Sequence, residues 1–114
     1  IRLARKIDRP NVGVTFNLCH CLRVGDESKI PDLLREAKPY LFLVSINGAD
    51  SGGKNWSSLI QTLDRGTFDQ VKLLRELQAI DYNGPVGLQC YGIDGGVRDN
   101  LTRSMGAWKQ LQKR

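Results

Sequence analysis

Residues 41–47 have the sequence LFLVSIN, an apolar run that contains the β-branched and aromatic side chains typical of a strand. Two similar runs lie on either side of it, VGVTFN at 12–17 and PVGLQCY at 85–91. A segment with helical spacing of apolar residues follows each run. This alternation predicts an α/β fold with a parallel sheet, because parallel strands need long crossover connections that are usually helical.

The helical segments carry start and stop signals. We expect Ser28 to cap the helix after the first strand, with Pro31 in its opening turn. Thr67 begins a capping-box sequence for the next helix, and residues 83–85 (NGP) end it. Residues 1–7 resemble the tail of a preceding helix, so the predicted order is α-β-α-β-α-β-α. The final helix has one apolar stripe: Val97, Leu101, Met105, Trp108 and Leu111.

Side chains of alternating parity along the three strands differ in polarity. One parity is apolar and is expected to pack under helices: Val12, Val14 and Phe16; Phe42, Val44 and Ile46; Val86, Leu88 and Cys90. The other parity, which includes Leu41 and Leu43, becomes polar toward the strand ends at Asn17, Ser45, Asn47 and Gln89. In a barrel of parallel strands, inward residues at that end form the floor of the active site. The pattern favours a barrel over an open sheet buried on both faces; polar strand ends that simply face water remain the alternative.

The connection at 48–66 (GADSGGKNWSSLIQTLDRG) is far longer than the roughly 2–6 residues usual between a strand and the next helix. Long loops on this side of a parallel sheet often contact substrate. Trp56 in this loop is a candidate for stacking on a sugar, and a plain anchoring role fits it equally well.

Charge and cysteine content exclude several classes of protein. The net charge of +5 comes from the two ends of the 114-residue chain, and the residues between them are close to neutral. We therefore expect no nucleic-acid partner. The chain has no run of about 20 apolar residues, so we expect no membrane span. It opens on Ile1 without an apolar leader, but we expect its beginning to be missing, so the location is unknown and cytoplasmic only by default. Its cysteines, Cys19, Cys21 and Cys90, are odd in number, which argues against a disulfide framework. Cys19-His20-Cys21 is too closely spaced for a usual zinc site, so we expect buried or half-buried thiols.

Four segments resemble motifs of the xylose-isomerase-like barrels, a superfamily that includes sugar phosphate isomerases, ketose 3-epimerases and endonuclease-IV-type enzymes. NLCH at 17–20 is similar to an Asp-x-x-His strand end, and LVSI at 43–46 to an apolar-His-apolar strand. LDRGTFD at 63–69 resembles the start of the next helix, and YNGPVGLQ at 82–89 a Tyr-x-Gly-apolar strand that ends in Glu. The resemblance covers nearly the whole chain and aligns it with the last three βα units of the barrel.

The resemblance implies that residues 1–114 are the C-terminal part of a (β/α)₈ TIM barrel, with parallel strands and one domain. Three strands do not close a ring, and they leave edges and an inward face uncovered. We therefore expect a missing N-terminal barrel half, or a homo-oligomer, to complete the structure. We also expect the isolated chain to be marginally stable.

The resemblance also implies a chemistry. Members of the resembled superfamily usually hold a divalent cation, Mn²⁺, Mg²⁺ or Zn²⁺, by Glu, Asp, His and Glu side chains from successive strands. The three of these positions within this chain are Asn17, Ser45 and Gln89. Neutral oxygens bind such cations poorly without anionic companions, so the standard metal mechanism is not expected. The endonuclease branch fits less well still, since its site needs several histidines and the chain has one.

The sequence thus predicts a sugar isomerase or epimerase that acts on a carbohydrate or sugar phosphate, with altered metal positions. His20, which matches the substrate-contacting position of the resembled motif, is the predicted catalytic acid/base, and no metal ligand is assigned. The predicted substrate-binding residues are Asn17, Ser45, Asn47, Asp50, Trp56 and Gln89. The alternative is a non-catalytic carbohydrate-binding or structural barrel homologue, because a lone histidine is often structural.

Overall fold

The computed structural model describes residues 1–114 and contains three strands and six α-helices. Strands β1, β2 and β3 form one parallel sheet in the order β1-β2-β3, which confirms the predicted α/β class. No helix has the length and apolarity needed to span a membrane. In chain order the elements are α1 (Arg2–Ile7), β1 (Val14–Asn17), α2 (Leu18–Val24), α3 (Ile30–Ala37), β2 (Leu41–Ile46), α4 (Trp56–Leu59), α5 (Gln70–Ala79), β3 (Val86–Leu88) and α6 (Val97–Leu111), with short 3₁₀ turns at Glu27–Lys29 and Lys38–Tyr40.

The main core lies between one face of the sheet and the helices. Phe16 pairs with Val44, and Val44 pairs with Val86, so the three side chains form a row on the same face. Helices α3 and α5 cover this face with leucine, isoleucine and alanine side chains. The predicted apolar parity is therefore confirmed through the centre of the sheet. The buried residues of this core are Phe16, Leu18, Ile30, Leu34, Ala37, Leu41, Val44, Ile46, Leu63, Leu73, Leu77 and Ile80.

The start of β2 departs from the predicted alternation. Val14 lies opposite Leu41 but Thr15 lies opposite Leu43, so Phe42 is an extra residue in the ladder. Because one extra residue inverts the alternation, Leu41 turns into the core while Phe42 is 48% exposed. The predicted faces of Leu41 and Phe42 were therefore wrong.

The cap in the segment before α3 also differs from the predicted one. The Asp26 carboxylate accepts hydrogen bonds from the Ser28 backbone N–H and hydroxyl at 2.9 and 2.7 Å, and it caps a 3₁₀ turn. Helix α3 then begins at Ile30 without a side-chain cap, with Pro31 in its first turn as predicted. The prediction of Ser28 as the cap was wrong, because Asp26 binds both the hydroxyl and the backbone N–H of Ser28.

Helix α5 has a different cap from the predicted one. The Asp69 carboxylate accepts from the Lys72 N–H at 2.9 Å and caps the helix, so the prediction of Thr67 was wrong. The Thr67 hydroxyl instead accepts from the Ser51 N–H at 3.1 Å and ties the long loop to the start of this helix.

Helix α6 covers the sheet only in part. Of its predicted stripe, Trp108 and Leu111 pack against the core, while Val97, Leu101 and Met105 are exposed. The deepest residues are polar instead, since Asn100 and Ser104 are buried, and Ser104 accepts from the Leu63 N–H at 3.1 Å. A cavity of about 760 Å³ remains open between α6 and β3.

Candidate functional site

The candidate site lies at the C-terminal ends of the strands, on the face opposite the core. Asn17 at the end of β1 is in register with Ser45 of β2, which is in register with Gly87 of β3. Since neighbouring strands are about 4.8 Å apart, Asn17 and Ser45 lie side by side. Gln89 follows two residues after Gly87, and its N–H extends the ladder by donating to the Ile46 carbonyl at 2.8 Å.

Asn17 joins β1 to α2 and acts as the helix cap. Its Oδ1 accepts from the Cys19 thiol at 3.0 Å and from the His20 backbone N–H at 3.4 Å. Burial raises the pKa of the Cys19 thiol, an effect that outweighs the opposing hydrogen bonds from the backbone, so the thiol stays protonated and able to donate. The amide oxygen of Asn17 is therefore used locally, whereas its amide nitrogen makes no hydrogen bond within the chain.

Helices α2 and α4 bring three side chains together beside the strand ends. The ring centroids of His20 and Trp56 are 5.3 Å apart, with a 49° angle between the planes. The guanidinium carbon of Arg23 lies 5.9 Å from the centroid of the same indole. His20 and Arg23 are three residues apart on α2 and so share one helix face. We call His20, Arg23 and Trp56 the indole cluster.

The indole is placed by a short helix with its own cap. Asn55 precedes α4, and its side-chain oxygen accepts from the Ser58 N–H at 2.9 Å and from the Ser57 hydroxyl at 2.7 Å. Leu59, at the end of α4, is fully buried in a small core with Cys19 of α2. This packing holds α4 against α2 and so stabilises the contact between Trp56 and His20.

Asn47 directly precedes the long loop and its side chain is bonded to the loop backbone. It is fully buried, and its amide nitrogen donates to the Gly48 and Leu59 carbonyl oxygens at 2.7 and 2.6 Å. Its own backbone carbonyl accepts from the Gln70 side chain at 2.6 Å. In this arrangement Asn47 holds the two ends of the 48–59 segment together, away from the strand-end row.

Asp50 is also engaged within the loop. Its carboxylate accepts from the Thr67 N–H at 3.1 Å, and its backbone N–H donates to the Ser58 carbonyl at 2.8 Å. Gly48 allows the loop to close, because a side chain there would overlap the Thr62 carbonyl oxygen. The loop at 48–66 is thus folded back on itself and joined to the start of α5.

A family model described as the xylose isomerase-like TIM barrel matches residues 1–111. The chain belongs to this family. Its three parallel βα units are accordingly part of a TIM barrel, in which polar residues at the C-terminal strand ends line the site. A search of curated proteins gave no match to the chain.

The residues of this xylose isomerase-like barrel do not fit the divalent cation of the enzymes that it resembles. The strand ends carry two amides and a hydroxyl, and the Asn17 oxygen already accepts two hydrogen bonds. Nowhere in the chain do three or more His, Cys, Asp or Glu side chains come close enough to hold a metal ion. Hard divalent cations favour carboxylate oxygens, so this set of donors is a poor substitute.

Of the residues predicted for the site, the structure brings together Asn17 with Ser45 and His20 with Trp56. The side chains of Asn47 and Asp50 are instead hydrogen-bonded to other parts of the chain. Arg23 was not predicted. Its signal was present in residues 18–24 (LCHCLRV), where helical spacing places it on the same face as His20. The prediction missed it because no helix was assigned directly after the first strand.

Proposed function

We propose that this xylose isomerase-like barrel is a sugar isomerase or epimerase, acting on a carbohydrate or sugar phosphate with Asn17, Ser45 and Gln89 in place of the usual metal ligands. The observation that carries the proposal is the contact of His20 with Trp56 beside the strand-end row. This contact pairs an ionisable ring with an aromatic surface, and His20 belongs to the helix that Asn17 of the strand-end row caps. Small-molecule sites commonly combine aromatic walls with a few such polar groups.

The proposed chemistry is a proton transfer next to a sugar carbonyl. Isomerisation and epimerisation both remove a proton from a carbon beside the carbonyl and return one, with no net oxidation. Imidazole is suited to this task because its pKa ordinarily lies near neutral pH. In the proposal His20 carries the proton, and the Asn17 amide nitrogen and Ser45 hydroxyl bind sugar oxygens. The bond from the His20 backbone to Asn17 links the position of the acid/base to the strand end.

A second candidate is a non-catalytic carbohydrate-binding or structural barrel homologue. It is favoured by the neutral side chains at all three strand ends and by the use of Asn47 and Asp50 inside the loop. In this case His20 contributes only an edge to the Trp56 surface.

Proton exchange distinguishes the two candidates. The chain is incubated in D₂O with aldoses, ketoses and their phosphate esters, and deuterium at the carbon beside the carbonyl is followed by NMR. We expect exchange with at least one sugar, and a loss of about 100-fold or more in His20→Gln, the usual size of an acid/base contribution. Lys38→Gln, at the opposite end of β2, is the control and should leave the rate unchanged.

The outcome in the wild-type chain decides between them. Binding of a sugar without exchange supports the non-catalytic candidate. Exchange that His20→Gln retains in full contradicts the role of His20. If no sugar in the panel is bound or exchanged, the enzymatic and the carbohydrate-binding candidates fail, and the structural barrel homologue is supported.

A further inference from the structure

We propose that the indole cluster binds an anionic group, so that the ligand is an acidic sugar whose phosphate or carboxylate lies against Arg23 and His20. This inference rests on the proposed function, because it names the class of ligand taken by the same site. Its basis is one juxtaposition: a guanidinium 5.9 Å from the Trp56 centroid and an imidazole 5.3 Å from it.

The charge of Arg23 is not neutralised within the chain. The five ion pairs of the structure use Arg5, Lys38, Arg103 and, twice, Arg35, but not Arg23. The guanidinium is nevertheless positioned, because it lies over the indole rather than extending freely into water. A planar guanidinium matches the paired oxygens of a phosphate or carboxylate, which makes it the usual recognition group for both.

The acidic residues that follow α2 are already engaged. Asp26 is bound to Ser28, and the Glu27 carboxylate accepts from the Ser51 hydroxyl at 3.0 Å. Helix α2 itself contains no acidic residue. Arg23 therefore carries the formal positive charge of this face of α2, and no carboxylate of the chain forms an ion pair with it.

The exposure of Trp56 explains why the ligand should be a sugar with a charged end. Half of the side chain, 48%, is exposed, which leaves a surface for one ring. A molecule stacked on that surface has its edge within reach of His20 and Arg23, which contact the same indole. The hydroxyl groups of a neutral sugar would replace only part of the hydration of the guanidinium, whereas an anion also compensates for its charge.

The test compares matched neutral and anionic ligands by isothermal titration calorimetry. The probes are glucose, glucose 6-phosphate, glucuronate and inorganic phosphate, and the proteins are the wild-type chain, Arg23→Gln, Arg23→Lys and His20→Gln. Arg9→Gln serves as the matched control, since Arg9 is exposed and lies before β1, at the other end of the sheet. Circular dichroism confirms that each variant keeps the helical content of the wild type.

We expect an anionic sugar to bind at least about 10-fold more tightly than glucose. Arg23→Gln should remove that preference, Arg23→Lys should keep part of it, and Arg9→Gln should leave it unchanged. A greater affinity for glucose 6-phosphate than for glucuronate identifies a phosphate ligand, and the reverse order identifies a carboxylate.

Failure of this inference is distinguishable from failure of the proposed function. Equal affinity for glucose and the two anionic sugars, or a preference that survives Arg23→Gln, overturns the inference and leaves proton exchange as the test of function. An Arg23-dependent preference without any exchange supports the anion site and contradicts the enzymatic proposal. If none of the four probes binds, the inference is overturned.

Discussion

Asn47 offers the sharpest test of how the long loop is held. The structure buries its side chain completely and uses both amide hydrogens, toward the Gly48 and Leu59 carbonyl oxygens. Asn47→Asp keeps the shape but replaces the donor by a group that, when ionised, can only accept. A carboxylate oxygen and the Gly48 and Leu59 carbonyl oxygens would then face one another inside the protein with no proton between them. Asn47→Ala instead removes the side chain and adds no charge.

The magnitudes follow from the two lost bonds. A neutral hydrogen bond contributes roughly 0.5–1.5 kcal/mol net, so Asn47→Ala should reduce the free energy of unfolding by about 1–3 kcal/mol. Asn47→Asp should cost more at pH 7, because the buried carboxylate is not paired. Burial raises the pKa of such a carboxyl above its unfolded value of about 3.9, so the folded state binds more protons. The extra cost should therefore grow with rising pH, by at most about 1.4 kcal/mol per pH unit, and disappear near pH 4.

Urea denaturation followed by circular dichroism at pH 4, 5.5 and 7 measures these differences. The deficit of Asn47→Ala relative to the wild type should be constant across the series, and that of Asn47→Asp should increase with pH. Asn47→Asp with wild-type stability at pH 7 would refute the reasoning, since it would mean that the side chain reaches water. That result would return Asn47 to the set of residues that face substrate.

Three further outcomes are expected, each measured by urea or acid denaturation. Leu41→Ala should cost about 2–5 kcal/mol and Phe42→Ala at least about 1 kcal/mol less, because the bulge buries only the former; equal losses would contradict the register. Gly48→Ala should destabilise by more than about 1 kcal/mol, since the folded loop leaves no room for a Cβ atom. Burial by itself would raise the pKa of Asp64, but hydrogen bonds that include those from Arg103 hold it below its usual range. The Asp64–Arg103 pair should therefore stabilise the fold above about pH 4 and lose its contribution as pH falls. Asp64→Asn should remove that pH dependence.

Strand parity correctly predicted that two of the proposed site residues lie in one row, whereas their role in a site stays a prediction. Asn17 and Ser45 share a row because a parallel ladder keeps alternate side chains on one face, and that rule can be applied to the sequence directly. The prediction was incomplete for residues of α2, a helix that begins directly after a strand. Arg23 lies in such a helix, and its role depends on an indole 33 positions later in the chain.

Asn47 illustrates the other limit of sequence reasoning. Its parity and polarity match those of a ligand-binding residue at a strand end. Whether the amide faces a substrate or the chain depends on where residues 48–59 return, and in the structure they return to the amide itself. A buried asparagine needs partners, and the loop carbonyls supply them for its amide nitrogen, while its Oδ1 has no partner in the chain.

The sequence by itself determined the alternation of strands and helices, the parallel sheet, the apolar face at Phe16 and Val44, and the family. These features follow from local periodicity and from connection lengths. Only the tertiary structure decided the bulge at Phe42 and the meeting of His20, Arg23 and Trp56. The physical reason is that register depends on hydrogen bonds between strands, and the indole cluster on the packing of α4 against α2. Both are contacts between segments far apart in the chain, which no window of neighbouring residues contains.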